Sequence, residues 1–238
     1  MATSRRVRER DRGLTLAASL LALAAVAWAL SAERMSGMDM GPGTELGGPG
    51  WFVVTWVLMM AAMMLPSLVP AARASGGAAA FVGGYLGVWT GAGVAAYAVV
   101  EGVRSEDLGF LAWDRAGRYV AAGVILAAAA YQITAPKGSC LRRCRNPTVS
   151  GRGLAGASRD GMRHGGFCIG CCWALMAALL ALGAMSLVWM AVIAALITAE
   201  RLLPERAMAA TGVAVALAAV AVGVALVPGD VPGLTIPM

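Results

Sequence analysis

The stretch Trp51-Phe52-Val53-Val54-Thr55-Trp56-Val57-Leu58-Met59-Met60-Ala61-Ala62-Met63-Met64-Leu65-Pro66-Ser67-Leu68-Val69-Pro70-Ala71-Ala72 runs for 22 residues without a charged side chain. A helix rising about 1.5 Å per residue crosses the ~30 Å hydrocarbon layer of a bilayer in roughly 20 residues. The stretch therefore reads as a transmembrane helix. Outward from it, six further apolar stretches can be marked at residues 14–32, 77–100, 117–134, 166–183, 185–199 and 207–227. Over all 238 residues, 59% are hydrophobic and 13% charged, which leaves too little polar surface to coat a water-soluble globule. The expected fold is an all-α polytopic transmembrane helix bundle of about seven helices, with the lipid bilayer as its solvent.

The fifth and sixth stretches form one nearly continuous apolar run from 166 to 199. As a single helix it would be about 50 Å long, too long for one ordinary span. Glycine weakens a helix, so a break is expected near Gly183, giving a tight hairpin of two short helices. One long, tilted helix, and hence six spans, is the competing reading. Charge favours the hairpin. With the N-terminus inside, 15 of the 19 lysines and arginines fall on the inner side, and only Arg34, Arg104, Arg115 and Arg118 fall outside. That is the asymmetry expected of a multi-pass protein of a bacterial cytoplasmic (inner) membrane. The first stretch is read as a retained anchor, although Ala27-Trp28-Ala29 also resembles a signal-peptide cleavage site.

Residues 36–50, rich in Gly, Met and acidic residues, are expected to form an outer loop, and residues 136–165, with seven basic residues, the largest inner loop. Gly83, Gly87 and Gly91 recur at four-residue spacing, a small-residue stripe suited to close helix approach inside the bundle or across a homo-oligomer seam. The formal net charge of +6 is distributed between apolar runs and lacks the aromatic interleaving of single-strand binders, so a nucleic-acid partner is excluded. The sequence holds no Gly-x-Ser-x-Gly elbow, phosphate loop or HExxH pair, and it has a single histidine. An enzyme is not expected.

The chemistry lies in sulfur. All five cysteines fall between positions 140 and 172: Cys140 and Cys144 at i, i+4, and Cys168, Cys171 and Cys172 at i, i+3, i+4. On a helix the latter three share one face, which Met176 continues. The topology puts them at the cytoplasmic boundary, where reduced thiols bind metal or do redox work more readily than they form structural disulfides. Thiolates and thioethers select Cu(I), Zn or iron–sulfur clusters; Cu(I) is the best match, with Zn less favoured. Buried cysteine also packs simply as a small apolar residue. Met59/Met63 and Met60/Met64 stand one helical turn apart, a thioether face that is either a Cu(I) path or core filler, and Pro66 should kink the helix there or free a carbonyl. Met35, Met38 and Met40 around Asp39 extend the sulfur outward. His164, four residues before Cys168, either completes the thiolate site or is solvated. Arg142, Arg143 and Arg145 are expected to stabilise the thiolates, and Glu101 and Glu200 to sit at opposite interfaces.

These motifs line up further. Trp56 through Ser67, Gly123 with Tyr131-Gln132-Ile133-Thr134-Ala135-Pro136-Lys137, and Cys140-Leu141-Arg142-Arg143-Cys144-Arg145-Asn146-Pro147 form one series. Gly170-Cys171-Cys172-Trp173-Ala174-Leu175-Met176, Gly183-Ala184-Met185, Trp189-Met190 and Glu200-Arg201 complete it. Together they resemble a bacterial family of integral membrane proteins described as a predicted metal-binding domain of unknown function, some of whose members look like copper-handling proteins. The resemblance covers about residues 51–204. It implies a metal-binding membrane domain there, between a basic cytoplasmic segment (1–13) with its anchor (14–32) and a C-terminal helix and tail (205–238). It points to Cys140, Cys144, Cys168, Cys171, Cys172 and the Met59–Met64 face as ligands. Arg201 departs from the lysine expected in relatives, with charge retained.

The combined expectation is a membrane protein that binds a soft metal, best matched by Cu(I), for transport or delivery to a metallochaperone or metal-receiving partner. Two other classes stay open. A thiol redox protein would cycle Cys171/Cys172 or Cys140/Cys144 without metal. A structural assembly factor would tolerate loss of the cysteines but not bulky replacements at Gly83, Gly87 or Gly91.

Overall fold

A computed structural model of the chain describes residues 2–35, 47–105, 116–149, 151–183, 186–203 and 206–231. Among these it is all-helical: α1 (Ala2–Met35), α2 (Pro49–Ala74), α3 (Ala78–Ser105), α4 (Arg118–Gln132), α5 (Ala135–Arg145), α6 (Gly153–Gly183), α7 (Leu187–Leu202) and α8 (Arg206–Leu226). Five of them, α1, α2, α3, α6 and α8, are long and apolar enough to cross a membrane, and a sixth is counted if α4 and α5 together make one span bent by 67°. At 16 residues, α7 reaches about 24 Å, short of a full crossing. Large apolar side chains such as Leu23, Val99, Leu126 and Val215 stand exposed on the outside of the bundle, as lipid-facing positions do.

Local chemistry sets the boundaries. Pro49 stands in the first turn of α2, where its missing N–H costs nothing. Pro66 and Pro70 lie inside α2, which nonetheless runs on to Ala74; Ser67 Oγ donates to the Met64 carbonyl at 2.9 Å beside the interrupted ladder. Pro136 cannot donate to the Gln132 carbonyl, and its ring would clash there. So α4 stops at Gln132, Thr134 turns extended, and α5 restarts. Gly183 ends α6 with a φ of 115°, open to glycine alone at little strain. Ser186 then caps α7 by accepting from the Trp189 N–H.

The break at Gly183 is therefore as expected, but the helix before it is long rather than short. α6 spans 31 residues and begins at Gly153, thirteen residues before the apolar stretch marked in the sequence. Most of the expected inner loop 136–165 is in fact helix, α5 and the first thirteen residues of α6. Two of its glycines, Gly161 and Gly165, are packing residues. A Cβ on Gly161 would fall against the Phe81 backbone of α3, one on Gly84 against the Ser158 carbonyl of α6, and one on Gly165 3.2 Å from the Tyr85 carbonyl. Ala157, Gly161 and Gly165 are thus the small-residue stripe that lets α3 and α6 approach. Gly83, Gly87 and Gly91 are exposed with nothing within 4 Å of an added Cβ, so they are not a packing face inside the bundle.

Around the α3–α6 pair, α2 joins α1 to α3, while α4 bridges α6 to α8 and α5 lies on α6. Long-range bonds sort the helix ends. Arg73 Nε donates to Gly13 O, Arg145 to Leu203 O, and Gly77 abuts Ala157 at one end; Tyr97 donates to Gly47 O and Arg34 covers the Trp51 ring at the other. The contacts fit alternating crossings by α1, α2 and α3. Met38, Asp39, Met40, Arg115 and Met185 lie outside the described residues. Met35 does not belong to a loop: it closes α1 and is fully buried.

Candidate metal centre

The three-cysteine face forms because α6 stays helical through Cys168-Ile169-Gly170-Cys171-Cys172. Their sulfurs all lie within 4.8 Å of one another, and each residue is 0–1% exposed. Cys171 Sγ stands 3.3 Å from Cys172 Sγ. From α5, Cys144 brings a fourth sulfur to 3.7 Å from Cys171 Sγ. All five cysteines are free thiols. The two cysteine groups, separate in sequence, meet because the 67° bend lays α5 on α6.

This donor set fits a soft ion. Sulfurs about 2.3 Å from a common centre stand about 4.0 Å apart in a trigonal plane and about 3.8 Å apart in a tetrahedron. The observed separations depart from these by less than about 1 Å, within reach of small χ1 adjustments. An all-sulfur, water-excluded pocket suits soft ions, a class that includes Cu(I), zinc and iron–sulfur clusters.

Several side chains brace the sulfurs. Arg201, at the end of α7, places Nη2 2.6 Å from Cys168 Sγ and 3.9 Å from Cys172 Sγ, and its Nη1 donates to Ser67 Oγ of α2. Three thiolates around a monovalent ion carry a net negative charge, and a guanidinium against them offsets it in a low-dielectric site. Tyr85 of α3 puts its hydroxyl 3.0 Å from Cys168 Sγ. Tyr131 donates to the Gly170 carbonyl at 2.7 Å. A Cβ at Gly170 would meet Cys140 Sγ at 2.7 Å, so a larger residue there would displace that side chain.

The other expected ligands sort as follows. Cys140 is half-buried against Gly170, outside the three-thiol group. His164 is also outside it and is not solvated: it is buried between the rings of Phe81 and Tyr85, at centroid distances of 5.7 and 5.9 Å. Met59, Met60, Met63, Met64 and Met176 are buried in the same apolar core as the cysteines.

The arginines expected to serve the thiols are engaged elsewhere. Arg142 donates to Ser139 Oγ, Arg143 lies over the Phe167 ring, and Arg145 donates to the Glu200 and Leu203 carbonyls. Arg201, noted in the sequence for topology and as a departure from relatives, takes that place. Glu200 closes α7 beside Arg201. It is 2% exposed and paired with the equally buried Lys137, whose Nζ reaches its two oxygens at 2.7 and 2.8 Å. The signal was available, since an ionisable residue closing an apolar stretch usually has a partner.

No protein of curated function and no solved structure matches the chain. A family model does: that of PpoB2, described as a copper chaperone, matches residues 53–224. The match takes in most of α8 and nearly all of the region of the sequence resemblance, and it spans every cysteine and every contact of the centre. The chain belongs to this family of copper chaperones.

Proposed function

We propose that the protein is a multi-pass protein of a bacterial cytoplasmic membrane that holds one Cu(I) as cargo and passes it to a metal-receiving partner. The observation that carries the reading is the fully enclosed cluster of Cys168, Cys171 and Cys172 with Arg201 against it. The three α6 thiolates are the primary ligands, and Cys144 is the fourth sulfur available when coordination changes during exchange. The membership in a copper-chaperone family supports copper over zinc. The clustering of Arg73, Arg145 and Arg201 at one end of the bundle supports an inner, reducing side for the site. The methionines of α2, buried in the same core as the thiols, offer soft, uncharged thioethers that suit Cu(I) without a counter-charge.

The test is anaerobic purification in detergent followed by Cu(I) titration against a coloured chelator, with the Cys168/Cys171/Cys172→Ser triple variant alongside. One Cu(I) per wild-type chain and none in a triple variant of unchanged helicity is the expected result. Equal copper in both proteins, or none in either, overturns the reading.

A further inference from the structure

The thiol cluster has no exposed sulfur, so an ion held there cannot be reached directly by an incoming ligand. Beside it lies a cavity of about 340 Å³, lined among others by Phe81, Asn146, His164 and Phe167. No cysteine or methionine lines it. Its carboxylate, Asp160, is occupied by Arg163 at 3.2 Å and by the Gly151 N–H at 2.8 Å. That leaves His164 as the lining side chain able to ligate a soft ion. It is buried, and no hydrogen bond engages its ring among the described residues. It precedes Cys168 by one helical turn, a spacing that puts Cβ atoms about 5–6 Å apart. Tyr85 touches both groups, with its ring on the imidazole and its hydroxyl on Cys168 Sγ.

We propose that this cavity is the exchange port of the thiol site and that His164 is its transfer ligand, accepting Cu(I) from Cys168 and presenting it to a sulfur donor of the partner. The inference rests on the copper reading above. In the exchange a bond from Cu(I) to a ring nitrogen of His164 forms as the bond to Cys168 Sγ breaks. The ion keeps its charge, no electron or proton is supplied, and the thiolate left behind stays against the Arg201 guanidinium. Imidazole suits the step because it binds copper without adding charge and releases it more readily than three thiolates do.

The experiment loads wild type, His164→Ala, His164→Gln and Asn146→Trp with one Cu(I) each and follows its capture by excess coloured Cu(I) chelator in stopped flow. Asn146 is exposed at the cavity, so tryptophan there narrows the port and leaves the thiols alone. All four proteins are expected to hold one Cu(I), and the three variants to release it about tenfold or more slowly. Added imidazole restores release in His164→Ala beyond its effect on wild type, and does not do so in Asn146→Trp. Release at the wild-type rate from either histidine variant or from Asn146→Trp overturns the port. So does complete loss of copper from both histidine variants, which would make His164 a resting ligand. A wild type that holds no Cu(I) fails the copper reading itself, and the port falls with it.

Discussion

Removing Lys137 tests how the centre is assembled, because its ammonium is buried against Glu200 and ties α5 to α7. At 2.7 Å and an effective dielectric of about 20, the two charges attract by about 6 kcal/mol. Desolvation of both ions offsets much of that, yet deleting one partner strands the other charge, which typically costs about 3–5 kcal/mol. Arg145 and Arg201 lie close enough to Glu200 to compensate in part, so Lys137→Met should destabilise by about 3 kcal/mol, the lower end of that range. Lys137→Met combined with Glu200→Met removes both charges and should return to within about 1 kcal/mol of wild type. Equilibrium unfolding by SDS titration, followed by far-UV circular dichroism, measures all three proteins. The single variant should also bind Cu(I) more weakly, since α5 carries Cys144. A single variant as stable as wild type, or a double variant no better than the single, refutes the claim that the pair fastens α5.

Arg201→Met should lower Cu(I) affinity about tenfold or more, and Arg201→Lys should recover part of it, because one ammonium cannot bridge Ser67 and Cys168 as the guanidinium fork does; chelator competition reads both. Gly161→Val drives a side chain into the Phe81 backbone and should destabilise by about 2 kcal/mol, whereas Gly87→Val on the open face should leave SDS unfolding unchanged. Cys144→Ser should weaken copper binding without abolishing it, and Cys140→Ser should leave both stoichiometry and affinity unaltered in anaerobic titration.

Much of the architecture was legible because hydropathy and length alone demand it. The spans around 51–72 and 77–100, the break at Gly183 and the clustering of three cysteines on one helical face all follow from periodicity and composition. What periodicity did not reveal was the helix in basic, glycine-rich sequence. Arginine supports a helix well, and Gly161 and Gly165 give up propensity for contact with α3, so their composition resembles a loop while their packing demands a helix. The stripe at Gly83, Gly87 and Gly91 shows the converse, with ideal spacing and no neighbour. Tertiary partners decided the site. Lys137 looks like an inner-loop charge until the bend after Gln132 turns it inward, and Arg201 looks like a topological charge until α7 lays it beside Cys168. Neither pairing can be inferred from spacing, because the partners are 63 and 33 residues apart in the chain.

The complete enclosure of Cys168, Cys171 and Cys172 also makes the centre a clock. Thiols climb the oxidation ladder, or react with alkylating agents, only when solvent can reach the sulfur. A buried cluster is therefore shielded from oxidants that would destroy an exposed one, and the shielding lasts as long as the helices stay closed. Its rate of chemical labelling then measures how often the helices around the thiols part, a breathing motion of the fold that no bound ion is needed to observe. In the Cu(I) delivery proposed above, the wall that retains the ion also preserves the empty holder between transfers.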